Sequence, residues 1–213
     1  MGGDERELVR LGYDALSYRY RSDDADDGGY APWLADLHAR LPAGADVLDI
    51  GCGCGVPVAR SLATGGHRVT GVDLSGVQIE RARRLVPSGI FIHADATRLD
   101  LPPAGFDAVV CLYALIHMPL AEQPRLIGRI ADWLRPGGWL LATAGHEAWS
   151  GTDETWLGGS STMWWSQADA ATYRNWLAEA GLLVTAEEFV PEGTSGHTLF
   201  WARRPGAQHR RPR

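Results

Sequence analysis

The chemistry of this chain gathers where an apolar run ends in an acid and breaks into alternating glycines: Val47-Leu48-Asp49-Ile50-Gly51-Cys52-Gly53-Cys54-Gly55. Glycine lets backbone N–H groups come close to a ligand, because no Cβ intervenes and positive φ costs little. The stretch therefore reads as the end of a first strand and the turn of a nucleotide-type cofactor site. Its spacing is Gly-x-Gly-x-Gly. A dinucleotide fingerprint would carry Gly or Ala three positions after Gly53, where this chain has Val56. A second acid, Asp73, closes the run Val69-Thr70-Gly71-Val72, 24 residues after Asp49. At a strand end such a carboxylate can accept hydrogen bonds from both hydroxyls of a ribose.

Acids and glycines at strand ends need a sheet to hold them. Strand and helix patterns alternate from Ala31 onward, which predicts a parallel sheet with helices on both faces. Strands are expected near 46–50, 68–73, 90–93, 106–113, 138–144, 182–190 and 197–203, and helices near 31–41, 56–65, 75–86, 120–134 and 167–180. Pro57 suits a helix opening, Ser75 an N-cap and Gly181 a helix C-terminus. Ligands of open sheets bind beyond the strand C-termini, where Asp49, Asp73, Asp95 and Leu112 would converge. Two stretches lie outside this pattern: Leu8 to Arg21 with the acidic run Asp23 to Asp27 behind it, and the Trp-rich segment Gly145 to Gln167.

Five features together carry a family resemblance over roughly Ala31 to Ala144. They are the acid-glycine turn at 49–55, the strand ending at Asp73, Ala94-Asp95-Ala96, Phe106 to Tyr113, and the turn Leu134-Arg135-Pro136-Gly137-Gly138. The combination resembles the class I S-adenosylmethionine-dependent methyltransferases. The resemblance implies an α/β, Rossmann-like sheet of seven strands, the last inserted antiparallel, with residues 1–213 forming one domain. It implies S-adenosylmethionine as cofactor, with Asp49, Gly51, Cys52 and Gly53 at its methionine end, Asp73 and Leu74 at the ribose, and Asp95 and Ala96 at the adenine. Leu112, His117 and Tyr13 complete the implied contacts. Residues 1–30 and 145–167 would cover the site, and 204–213 would be a flexible tail. Met163 to Asp169 and His197 to Arg203 further resemble small bacterial methyltransferases that act on small molecules of natural-product type.

Methyl transfer from a sulfonium is an in-line displacement with an excellent leaving group, so alignment and desolvation dominate and neither a metal nor a covalent nucleophile is required. An acceptor of high pKa would still gain from a general base, for which His is suited near neutral pH. His146, after the fifth strand, His117, just past the fourth, and His197, at the start of the last, are the candidates, with Tyr13, Tyr18 and Tyr20 behind them. His117 also suits a structural role. Trp149, Trp156, Trp164 and Trp165 could wall a flat or cationic acceptor by stacking, or could clamp the segment onto the sheet. His197 opens the last strand as a further substrate contact. Tyr13 could close over the cofactor, and Arg19 or Arg21 could pair with its carboxylate.

A chain of 213 residues with 45% apolar content supports one sizeable core. A net charge of −6 argues against a nucleic-acid binder, and no apolar run reaches membrane-spanning length. The charged N-terminus does not resemble a signal peptide, so a cytoplasmic protein is expected, monomeric or homodimeric, with a small-molecule acceptor. Cys52, Cys54 and Cys111 lack metal or redox spacing and are expected to pack in the core. All 20 basic residues are Arg, which excludes Schiff-base chemistry and a P-loop lysine. The leading expectation is methylation of O or N on an aromatic or heterocyclic metabolite. Carbon methylation, a rearrangement that uses the cofactor without methylating, a nicotinamide-dependent oxidoreductase and a non-catalytic partner module are the alternatives.

Overall fold

The computed structural model describes residues 2–206, with side chains from Glu5 onward. Its centre is a seven-stranded sheet in the order β3-β2-β1-β4-β5-β9-β8. The strands are β1 (Asp46–Ile50), β2 (Arg68–Asp73), β3 (Ile90–His93), β4 (Phe106–Cys111), β5 (Leu134–Gly145), β8 (Leu183–Glu192) and β9 (Ser195–Arg203). Pairing is parallel from β3 through β5, while β9 runs antiparallel to both β5 and β8. The last strand thus lies between its two predecessors, as the family pattern implies. Strand order reverses between β1 and β4, and a crevice opens beyond their C-terminal ends at such a switch point.

In β1, Val47, Leu48, Asp49 and Ile50 are all buried because helices cover both faces of the sheet. Leu48 and Ile50 face a core shared with α5 (Gln123–Trp133) and α6 (Ala170–Glu179). Val47 faces a second core with α2 (Ala31–Arg40), α3 (Val58–Thr64) and α4 (Gly76–Leu85). Leu34 and Leu37 anchor α2 there, each contributing on the order of 1.5–3 kcal/mol by burial. Ser75 caps α4 by accepting from the Gln78 N–H at 3.1 Å, and Gly181 takes φ +77° after α6, both as the sequence predicts.

The differences from the sequence reading are local, with one exception. α3 starts at Val58 with Pro57 at its N-cap, and a 3-10 turn over Leu120–Glu122 precedes α5. β5 begins early because Leu134 pairs with Phe106 before the register shifts and Trp139 pairs with Ala108. Arg204, expected in a flexible tail, is fixed: its N–H donates to Gly138 O at 2.9 Å and its guanidinium to Asp132 O at 3.0 Å. The rest of that expected tail, 207–213, lies outside the described residues. The exception is the Trp-rich segment, which holds a hairpin of β6 (Trp149–Asp153) and β7 (Met163–Gln167). This hairpin packs through Met163 and Trp164 against Val9 of the N-terminal helix α1 (Gly2–Tyr20), forming a third, small core. No helix among the described residues is long and apolar enough to cross a membrane.

Candidate active site

The turn after β1 is shaped by what lies behind it. Gly51 takes φ +69°, and a Cβ there would collide with the Ala114 Cβ, so only glycine fits without a shift. Gly53 takes φ +53°, and its N–H donates to Asp73 Oδ2 at 2.8 Å. The other oxygen, Asp73 Oδ1, accepts from the Ser75 N–H at 2.8 Å. The carboxylate at the end of β2 therefore fixes the glycine turn of β1 while retaining lone pairs for a ligand. Burial pushes its pKa up.

Two adjoining cavities occupy this edge of the sheet. A cleft of about 730 Å³ is lined by Asp73, Leu74, Asp95, Ala96 and the α1 residues Tyr13 and Tyr20, among others. A smaller one of about 400 Å³ is lined by Asp49, Cys52, Arg21 and Tyr30. Tyr20, Gly51, Gly53 and Leu112 border both, so the two adjoin. Asp49 is 2% exposed and its Oδ2 has no hydrogen-bond partner. Burial, and secondarily the Asp73 charge, push its pKa up to about 8. In the same cavity Arg21 stacks on Tyr30 at 5.2 Å, and its buried Nε is likewise unpartnered. A buried carboxyl and a half-buried guanidinium facing one space can hold the two ends of an α-amino acid.

α1 covers the larger cleft with one stripe. Arg6, Val9, Arg10, Tyr13 and Tyr20 line it, and Ser17 on the same face donates to Gln78 Oε1 at 2.8 Å. His117 ties this cover down. Its Nδ1–H donates to the Trp164 carbonyl at 2.8 Å, which leaves Nε2 to accept from the Tyr13 hydroxyl at 3.0 Å. Burial lowers its pKa to about 4, so it is neutral near pH 7.

These placements correct several expected roles. His117 lines the cleft, but both ring nitrogens are engaged, so it is an anchor of the cover and not a free base. Tyr18 is 60% exposed, beneath the Arg81 guanidinium at 3.9 Å, because it sits five residues from Tyr13 and leaves the lining stripe. His146 is exposed, bonded through Nδ1 to Thr198 Oγ1 at 3.0 Å and packed on Phe189 at 4.6 Å. Trp164 is buried in the small core against α1, which makes it packing and not wall. Trp149 is half-exposed and, among the rings of the described residues, meets only Trp165. Trp156 stands against Tyr13 and Tyr20 at 5.1 and 5.7 Å, and Trp165 against His117 at 5.5 Å. Asp95 lines the cleft with its carboxylate already engaged by the Thr97 N–H at 2.9 Å and Arg6 Nε at 3.0 Å.

Sequence reasoning missed Tyr30 and Tyr113 and held Tyr20 only as a weaker base candidate, where the structure makes it a lining residue. Tyr113 lines the cleft just after β4, with φ +56° and its N–H donated to Thr143 Oγ1 at 2.5 Å. Its ring meets Tyr30 at 6.0 Å and His197 edge-on at 5.3 Å. The seven-residue interval from Tyr13 to Tyr20, two helical turns, was the signal that placed Tyr20 on the lining face.

A profile of the methyltransferase domain matches residues 47–138, from β1 to the turn inside β5. The 27-O-demethylrifamycin SV methyltransferase of Amycolatopsis mediterranei is 41% identical over 104 residues, 46% of this chain and 38% of that protein. The chain spans about half the length, or less, of the curated relatives it matches first. Among solved structures, the Burkholderia thailandensis 1,6-didemethyltoxoflavin-N1-methyltransferase, with bound 1,6-didemethyltoxoflavin and S-adenosylhomocysteine, superposes with a TM-score of 0.74. It shares 23% identity, over 96% of this chain and 91% of that one. The [4+2]-cyclase SpnF gives a TM-score of 0.72 at 22% identity, over 95% and 97% of the two chains. Local spacing at the glycine turn, the antiparallel last strand and the matched segment agree: residues 47–138 are similar to a methyltransferase domain, and the fold is that of the class I S-adenosylmethionine-dependent methyltransferases.

Proposed function

We propose that this protein binds S-adenosylmethionine across the two adjoining cavities and transfers its methyl group to O or N of a small aromatic or heterocyclic acceptor. The observation that carries the reading is the pairing of orphaned buried groups in the smaller cavity: Asp49 Oδ2 for an α-ammonium, Arg21 Nε for an α-carboxylate. When bound, the cofactor supplies a methyl group on a positively charged sulfur that leaves as a neutral thioether. Asp73 would accept from the ribose hydroxyls and Leu74, Asp95 and Ala96 would border the adenine, since these residues line the larger cleft at the ends of β2 and β3. Tyr13 and Tyr20 on α1 exclude water from above, and Gly51 and Gly53 allow the backbone to approach from below. Leu112 borders both cavities and so stands where the methionine and adenosine parts would meet.

The acceptor would enter beside Tyr20, Tyr30 and Tyr113, whose rings suit a flat partner. The test is transfer of isotopically labelled methyl from S-adenosylmethionine to a panel of phenols and nitrogen heterocycles, with S-adenosylhomocysteine formed in equal amount. Cofactor binding without transfer to any of them would favour the non-methylating alternative, for which the similarity to a cyclase is the specific observation.

A further inference from the structure

The β8–β9 hairpin carries a carboxylate–imidazole pair at the same edge of the sheet. Glu192 ends β8 and His197 lies near the start of β9, and His197 Nε2 is 2.9 Å from Glu192 Oε2. A carboxylate partner demands the Nε2–H tautomer, which leaves Nδ1 as a lone-pair acceptor. That Nδ1 is buried and has no hydrogen-bond partner. His197 pairs in register with Gly145, the last residue of β5, so it stands at the ligand edge. It shares a face of β9 with Leu199 and Trp201, the face whose core also takes in Tyr30 and Tyr113. The adjacent Thr198, to which His146 is bonded, points to the other face. Around the imidazole stand Glu192 on β8, Tyr113 after β4 and, more distantly, His117, which is neutral near pH 7. His197 keeps its carboxylate partner in place: hydrogen bonding to the imidazole lowers the pKa of Glu192.

We propose that His197, oriented by Glu192, is the base that takes the proton from an aromatic hydroxyl of the acceptor, with Tyr113 presenting that ring to it. The proposal rests on the methyl-transfer reading and narrows its acceptor to phenolic or enolic compounds. The acceptor O–H bond breaks and its proton moves to Nδ1. The freed electron pair forms the O–CH3 bond as the C–S bond of the sulfonium breaks, leaving a thioether and an imidazolium balanced by Glu192. Of the three histidines near this edge, only His197 combines a carboxylate on one nitrogen with an unpartnered second nitrogen.

The test uses 4-nitrophenol as probe, with the protein saturated by S-adenosylhomocysteine, and reads phenolate absorbance against pH. An imidazolium beside the bound phenolate should lower the ionisation midpoint by about 1 pH unit or more relative to the free probe. His197→Asn and Glu192→Gln should both abolish the shift, and 4-nitroanisole, which has no proton to lose, should not compete for the site. Glu192 is on the exposed tip of the hairpin, so its variant keeps the test valid should His197→Asn fail to fold. Three results would overturn the proposal: no binding of the probe, a midpoint equal to that of the free probe, or a shift that survives in Glu192→Gln. Calorimetry of S-adenosylhomocysteine on the same samples separates these results from failure of the cofactor reading.

Discussion

Binding of S-adenosylmethionine at pH 6.5 should release close to one proton from the protein. Asp49 is buried with one oxygen unpartnered, and its pKa of about 8 makes it neutral in the free protein at that pH. With that value the free protein carries about 0.97 of a proton on Asp49 at pH 6.5. An α-ammonium placed against the carboxylate favours its charged form, so the complex holds Asp49 ionised and the proton leaves. The assay is calorimetric titration at pH 6.5 in two buffers of different ionisation enthalpy, whose difference in apparent heat gives the number of protons exchanged. Wild-type protein should release about one, and Asp49→Asn about none, with affinity lowered by about 10–100-fold for the lost charged hydrogen bond. Tight binding by wild-type protein without proton release would refute the assignment of Asp49 to the ammonium.

Arg21→Ala should weaken S-adenosylmethionine by about 10–100-fold while leaving 5′-methylthioadenosine, which lacks the α-amino acid, unaffected; an equal loss for both would remove Arg21 from the carboxylate. Gly51→Ala should lower both stability and cofactor affinity, because the new Cβ meets the Ala114 Cβ at φ +69°, and an unchanged melting temperature would contradict the packing described. Acid should loosen the cover through His117. Its folded pKa of about 4 lies below the unfolded 6.5, so the unfolded chain binds more protons between these values. Stability is therefore full above pH 6.5 and falls by up to about 3 kcal/mol as pH drops toward 4. Urea unfolding at pH 7 and pH 4.5 should show less of this loss in His117→Gln than in wild-type protein, and an equal loss in both would reject it.

The cofactor end of the site was legible because its signals are local. Asp49 and the glycines sit within seven residues, Asp73 ends the next strand, and Ser75 caps the helix that follows. The acceptor end was legible only in His197 and Tyr20, because sheet order alone brings its parts together. Tyr20 ends α1, Tyr30 precedes α2, Tyr113 follows β4, and Glu192 and His197 meet across the last hairpin. No spacing in the sequence links those segments. The β6–β7 hairpin was hidden for another reason: Trp149-Ser150-Gly151-Thr152-Asp153 is a mostly exposed strand with no apolar face to announce it. His146 was drawn in by its place after the fifth strand and Tyr18 by chemical type. The side of the strand or helix on which each emerges sends it elsewhere.

In the proposed complex the two adjoining cavities hold S-adenosylmethionine, with the amino-acid end between Asp49 and Arg21. Calorimetric titration of the purified protein with S-adenosylmethionine and S-adenosylhomocysteine, with NAD as control, tests it most directly. Both adenosyl sulfur compounds should bind in the micromolar range, and NAD should give no heat. Binding of NAD, or no binding of either sulfur compound, would contradict it.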